Sequence, residues 1–314
     1  MDRLTLERRQ VWIYLGAIAA GLLAGNAAPG AGAFFGSLLW PALAVLLYAA
    51  FVQVPLLQWR HAIADRRFTL VVLAGNFVLV PALAWLLLKW LPPDPALRIG
   101  VLLVLLVPCT DWFIAFTQIG RGDVARAVAI TPVNLVLQIL LTPALVWLIG
   151  GRKLDLEFEA GAALAVLLVP LAAAFLSQAW ISARPGRQWL GERLAWWPVP
   201  LLALVAFLVA GAHAGQAREA VGLLPVLVPV YAVYLLLAAL GAKALATAAG
   251  LPAEQGRTLA FSMGTRNSFL VLPVALALPA GWEIAALAIV VQSLVELSGM
   301  AAYVRWLPRR LFPD

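Results

Sequence analysis

Two short stretches hold most of the residue types that could do chemistry in an otherwise apolar chain. The first runs from Val107 to Phe116 (Val-Pro-Cys-Thr-Asp-Trp-Phe-Ile-Ala-Phe), and the second from Phe261 to Ser268 (Phe-Ser-Met-Gly-Thr-Arg-Asn-Ser), with Pro273 beyond it. Pro108 removes a backbone donor and clashes with the preceding turn, so a helix passing through it must kink or break. At membrane depth, backbone groups freed in this way are tolerated only inside protein or along a cavity. Cys109, the single cysteine, is the chain's one soft ligand. A thiol there suits a soft, thiol-seeking species, although a lone buried cysteine also serves as a small hydrophobe.

Asp111, Arg266 and Glu296 are ionisable groups inside apolar runs, and such groups are functional candidates by default. Arg266 needs a partner or an anionic ligand, and Asp111, at the other interruption, is its expected partner. The alternative is an arginine that snorkels to an interface. Glu296 suits a group that takes and releases a coupling proton, or else hydrogen-bonds a neighbouring helix as structural glue. Cys109, Thr110, Asp111, Arg266, Asn267 and Ser268 are therefore expected at a substrate site, with Glu296 and Asp111 as coupling groups. Pro108, Asn134, Gln138 and Gln292 are expected to support it. Asn76 and Gln53 read as interhelical hydrogen-bonding groups.

Several chemistries are excluded as expectations. His61 and His213 stand far apart in sequence, so with one cysteine neither a metal centre nor an intramolecular disulfide is expected. No phosphate loop of the type G-x-x-x-x-G-K-[ST] occurs, and no triad-like set of nucleophile and base is found. The chain reads as neither an enzyme nor a cofactor protein.

The elements that position these residues follow from composition. Of the 314 residues, 64% are hydrophobic and 12% charged, with a mean hydropathy of +0.95, whereas soluble domains carry about 25% charged residues. Lipid must be the solvent. Apolar windows at 11–28, 34–57, 68–90, 97–119, 124–149, 160–180, 195–214, 220–248, 257–279 and 283–306 read as ten spans. The first also resembles a secretory signal peptide, with a basic start and the small residues up to Ala33. Sixteen of the 22 Lys and Arg lie at the two termini and in alternate loops, five in the opposite loops, and Arg266 is in a span. That asymmetry predicts cytoplasmic N- and C-termini and explains the net charge of +7 without nucleic acid.

The halves echo each other. Asn134 and Gln138 share one helical face, and Gln292 and Glu296 repeat that spacing 158 positions later. The same shift carries Cys109 onto Asn267. Five spans per half force opposite orientations, so inverted repeats are expected at 1–153 and 154–314, with interrupted helices meeting near the midplane.

The run from Pro108 to Asp123 resembles the fourth-helix motif of the bile acid/sodium symporter superfamily, and the run from Arg257 to Ser268 resembles its ninth-helix motif. The resemblance implies an all-α membrane protein of ten transmembrane helices. It also implies a panel domain (spans 1, 2, 6 and 7) and a core domain (spans 3–5 and 8–10), in which broken helices 4 and 9 cross. Sodium-coupled members carry a Ser-Asn pair where Phe113 and Ile114 stand here, a Glu at Ser262 and a Gln at Arg266. The sequence looks more like the arsenite efflux permeases, which combine a Pro-Cys in the fourth helix with a Glu in a Leu-Val-Glu run of the tenth, here Cys109 and Glu296. Asp111 and Arg266 depart from the usual permease pattern. The function implied is arsenite (antimonite) efflux by proton antiport across the inner membrane. The alternative is a sodium- or proton-coupled carrier of an organic anion that meets Arg266.

Overall fold

In lipid every backbone polar group must be satisfied within the protein, which leaves helices or closed barrels as spanning structures. A computed structural model describes residues 3–27, 30–54, 65–110, 112–150, 160–279 and 281–313, and these are helical almost throughout. Among the described residues the one strand-like pairing is a single antiparallel bridge between Pro108 and Arg266.

The helices are α1 (Arg3–Ala27), α2 (Ala31–Gln53), α3 (Arg66–Ala74), α4 (Val80–Leu88), α5 (Pro95–Leu106), α6 (Trp112–Ile119) and α7 (Val124–Gly150), followed by α8 (Ala160–Ser182), α9 (Gln188–Leu194), α10 (Pro198–Ala212), α11 (Ala217–Ala248), α12 (Ala253–Gly264), α13 (Ser268–Leu276) and α14 (Glu283–Trp306). A π-helical turn, Gly75–Leu79, joins α3 to α4. Among the described residues six segments are long and apolar enough to cross a membrane: Ala31–Gln53, Arg66–Leu88, Val124–Gly150, Gln188–Ala212, Val221–Ala248 and Glu283–Leu311. The windows expected at 97–119 and 257–279 each resolve into two helices, α5 with α6 and α12 with α13.

The chain forms two compact units. The first comprises Met1–Gln53 and Phe158–Leu224. Within it α10 packs on α1 and α2, and α2 on α8. Gly21 and Gly25, one turn apart, allow the first of these contacts. A Cβ at either would lie 2.3 Å from a backbone oxygen of α10, at Phe207 and Gly211 respectively. Close backbone approach through small residues is how helices associate where lipid removes the hydrophobic drive. Tyr48 Oη lies 2.9 Å from Ser177 Oγ, and Gln178 Nε2 donates to the Phe51 and Val52 carbonyls at 3.0 and 2.9 Å.

The second unit comprises Val54–Glu157 and Pro225–Asp314 and contains both interruptions. There α14 packs on α5 and α13, and α7 lies against α5, α6 and α12. Asp65 caps α3 by accepting from Phe68 N at 3.1 Å, and Asp94 caps α5 by accepting from Leu97 N at 2.8 Å. Both are standard acceptors for orphan N–H groups.

Candidate functional site

The α5 helix ends because Pro108 cannot continue it, and its C-cap Val107 is extended at φ −107°, ψ 105°. The α12 helix ends likewise at extended Thr265 (φ −93°, ψ 137°), and Asn267 starts α13 by accepting from Leu270 N at 3.2 Å. The interruptions satisfy each other. Cys109 N donates to Thr265 O at 3.2 Å, and Asn267 N donates to Val107 O at 2.8 Å. Pro108 and Arg266 are the bridged pair. Freed backbone is thus paired inside protein, as a membrane interior requires. Asn267 Nδ2 adds a bond to Thr110 Oγ1 at 3.2 Å.

Arg266 is 2% exposed, and its guanidinium is held by oxygens that carry no formal charge. Nη1 donates to Leu105 O at 3.2 Å, while Nη2 donates to Asn76 Oδ1 at 2.9 Å and to Ser262 O at 2.6 Å. Leu105 and Ser262 lie in the last turns of α5 and α12, where carbonyls lack helical partners and the helix dipole presents its negative end. The side chain therefore places one positive charge against two helix C-termini. The Tyr234 ring lies 5.9 Å from Cζ, and Nε is buried without a partner. Asp111, the partner expected from sequence, lies outside the described residues.

Asn76 is more central than its sequence suggests. It accepts from Arg266 and donates to Ser262 Oγ at 2.8 Å. The π-turn that begins at Gly75 carries it, and a Cβ at Gly75 would lie 2.7 Å from Met263 Sδ, so glycine permits the approach of α12. π-Turns of this kind recur at functional sites. Tyr234, which the sequence does not single out, donates to Met263 O at 2.6 Å and so fixes the end of α12. In both cases the only signal was a polar group within an apolar run. Gln53, by contrast, makes only a 3.4 Å bond within its own helix, to Ala49 O.

Glu296, on α14, is 2% exposed. Its Oε2 accepts from Gln292 Nε2 at 2.6 Å and from Arg266 backbone N at 2.8 Å, and Ser268 Oγ donates to Gln292 Oε1 at 2.9 Å. The carboxylate therefore touches the second interruption directly. Cys109, Trp112, Arg266, Asn267, Ser268, Phe269, Ser293 and Glu296 line one small pocket with about 240 Å³ of empty space, its open mouth included. Trp112 and Phe269 meet edge to face at its wall, with centroids 5.1 Å apart. Asn134 and Gln138 are wholly buried on α7 but join none of these bonds. Among the described residues no group of three or more His, Cys, Asp or Glu could hold a metal ion.

A model of the Sodium Bile acid symporter family matches residues 40–220. Arsenical-resistance protein Acr3 of Corynebacterium glutamicum is 25% identical over an alignment covering 97% of this chain and 90% of that protein. Putative symporter YfeH of Escherichia coli K12 is 35% identical over 41% of this chain and 39% of its own length. Uncharacterized protein PA2026 of Pseudomonas aeruginosa is 38% identical over 37% of each chain. With a family match across more than half its length and apolar helices suited to a bilayer, the chain is a multi-pass membrane transporter and belongs to the Sodium Bile acid symporter family.

Proposed function

We propose that the protein is a secondary active carrier that exports arsenite, and antimonite by the same chemistry, in exchange for protons. The observation that carries this reading is the presence of Cys109 and Glu296 on one small pocket where two interrupted helices meet. Arsenite is a soft, thiol-seeking species, and cysteine is the matching ligand. Several converging thiolates would hold it too tightly, whereas one thiol allows release, which a carrier requires. Glu296, buried and bonded to the second interruption, is the group that exchanges the proton. The likeness to Acr3 supports the same substrate class.

The reading includes an architecture: ten spans, in inverted repeats at 1–153 and 154–314, working by alternating access. It is supported by the bridge between Pro108 and Arg266, residues related by the same 158-position shift that relates Asn134 to Gln292 and Gln138 to Glu296. The two compact units have the memberships expected of panel and core domains. The setting is the inner membrane, with both termini in the cytoplasm.

The test is transport in everted vesicles under an imposed proton gradient. Cys109→Ser keeps the shape but replaces soft sulfur with hard oxygen, and should abolish arsenite accumulation while the protein still inserts. Glu296→Gln cannot titrate, and should lose gradient-driven accumulation while retaining arsenite exchange between the two sides. One observation favours a second reading: Arg266 is among the residues that line the pocket, and its Nε has no partner, as a carrier of organic anions would need. Wild-type rates of arsenite transport in Cys109→Ser, together with uptake of a carboxylate or sulfonate, would move that reading ahead.

A further inference from the structure

Asn134 and Gln138 are a chemical anomaly in the core. Both are 0% exposed, and neither the oxygen nor the nitrogen of either carboxamide has a partner. The Thr142 hydroxyl, one turn further along α7, is likewise buried and unpartnered. On the opposite side of the same helix Val136 and Leu140 are 56% and 65% exposed, so the polar residues form one inward stripe. Buried polar groups are nearly always hydrogen-bonded, and each exception requires an explanation.

The second half of the chain shows what these positions do when satisfied. At the positions 158 residues later, Gln292 Oε1 accepts from the Ser268 hydroxyl, and the Glu296 carboxylate accepts from Arg266 N–H. The same shift backward from Ser268 and Arg266 gives Thr110 and Pro108. Pro108 has no N–H to offer, and the Thr110 hydroxyl is engaged by Asn267 Nδ2. A hydroxyl and an N–H thus reach the pair in the second half, and neither reaches the pair in the first.

We infer that Asn134 and Gln138 form a binding site for the hydroxyl groups of a small, uncharged, polyhydroxylated solute. On the arsenite reading, on which this assignment rests, that solute is arsenous acid as its neutral trihydroxide. A carboxamide carries no net charge and offers both an acceptor oxygen and two N–H donors. It therefore complements a hydroxyl, which donates to Oδ1 or Oε1 and accepts from Nδ2 or Nε2. An anion would be better served by guanidinium or backbone N–H groups, and a hard cation by carboxylates. One turn of helix sets the side chains about 5–6 Å apart at Cβ, close enough to engage two hydroxyls of one small molecule.

The assignment is tested by thermal unfolding of the purified full chain in detergent, with boric acid and arsenous acid as probes. Boric acid is also a neutral trihydroxide but has no affinity for thiols. Both should raise the melting temperature of wild type, and the boric acid shift should survive in Cys109→Ser. In the double variant Asn134→Leu with Gln138→Met, partnerless amides give way to apolar groups of similar size. Its melting temperature without probe should equal or exceed that of wild type, and its apparent affinity for boric acid should fall at least tenfold. Should the double variant not fold, the single substitutions carry the test, and each should weaken boric acid at least tenfold. No boric acid shift in wild type, or an unchanged shift in the variants, overturns the assignment. If boric acid follows the expected pattern while vesicles do not move arsenite, the site stands and the arsenite reading falls.

Discussion

At the scale of single residues, Arg266 shows how a membrane interior tolerates a cation. Taking a guanidinium out of water is costly, and charge-assisted bonds must offset it. Here the acceptors are two main-chain carbonyls at helix ends and one side-chain amide, and among the described residues no carboxylate lies within ion-pair distance of the guanidinium. Arg266→Gln removes the charge and the fork, leaving those carbonyls without a donor. Leaving a buried acceptor unsatisfied costs about 1–3 kcal/mol, to be read as a lower melting temperature in detergent. Arg266→Lys keeps the charge but not the planar fork that reaches Leu105 on one side and Asn76 with Ser262 on the other. Its loss should fall between wild type and Arg266→Gln. Equal stability of all three forms would mean that the guanidinium does not hold the two interruptions together.

At the scale of elements, an ion-paired cluster ties the starts of α3 and α7 together near α12. Arg126 Nε donates to Asp65 Oδ2 at 2.6 Å, and Nη1 donates to Asp123 Oδ2. Asp123 N donates to Thr258 Oγ1 of α12 at 2.7 Å. The bond from Arg126 and the backbone N–H of Phe68 hold the Asp65 carboxyl below its ordinary value of 3.8. A depressed carboxyl contributes stability that is present above its unfolded value and lost as pH falls through the folded one. Asp65→Asn retains the helix cap, since asparagine caps as well, but loses the ionic part. The variant should therefore be less stable by about 0.2–1 kcal/mol at neutral pH, as for part-exposed pairs. Its unfolding should also be less sensitive to acid than that of wild type, as followed by thermal melts between neutral and acidic pH. Parallel pH profiles would show that the pair carries no linkage.

At the scale of the whole molecule, the resemblance sets Phe113, Ile114, Ser262 and Arg266 where sodium-coupled relatives carry ligands, and Arg266 is held by neutral oxygens. Phe113 is fully buried, and Ser262 bonds Asn76. Arsenite transport should persist when sodium is replaced by choline at a fixed proton gradient. A steep loss of rate would return sodium to the mechanism. Reporter fusions at either end should report a cytoplasmic location, and an external terminus would sink the ten-span arrangement.

The sequence by itself determined the solvent, the helical class and the two places where helices break. The solvent and the class follow from composition, the first break from Pro108 and the second from the polar run after Gly264, whereas Pro273 lies inside α13. It also singled out Cys109, Arg266 and Glu296, because a thiol or a charge in an apolar run is conspicuous without coordinates. Only the tertiary structure decided what each group meets. The acceptors of Arg266 are carbonyls of Leu105 and Ser262 and the amide of Asn76, atoms that every residue or an ordinary polar side chain possesses, so no residue type announces them. Glu296 and Gln292 are satisfied while Asn134 and Gln138 are not, although the spacing within each pair is the same. That difference arises because an arginine N–H and a serine hydroxyl reach one pair, and long-range contacts of this kind are fixed only when the two interruptions meet.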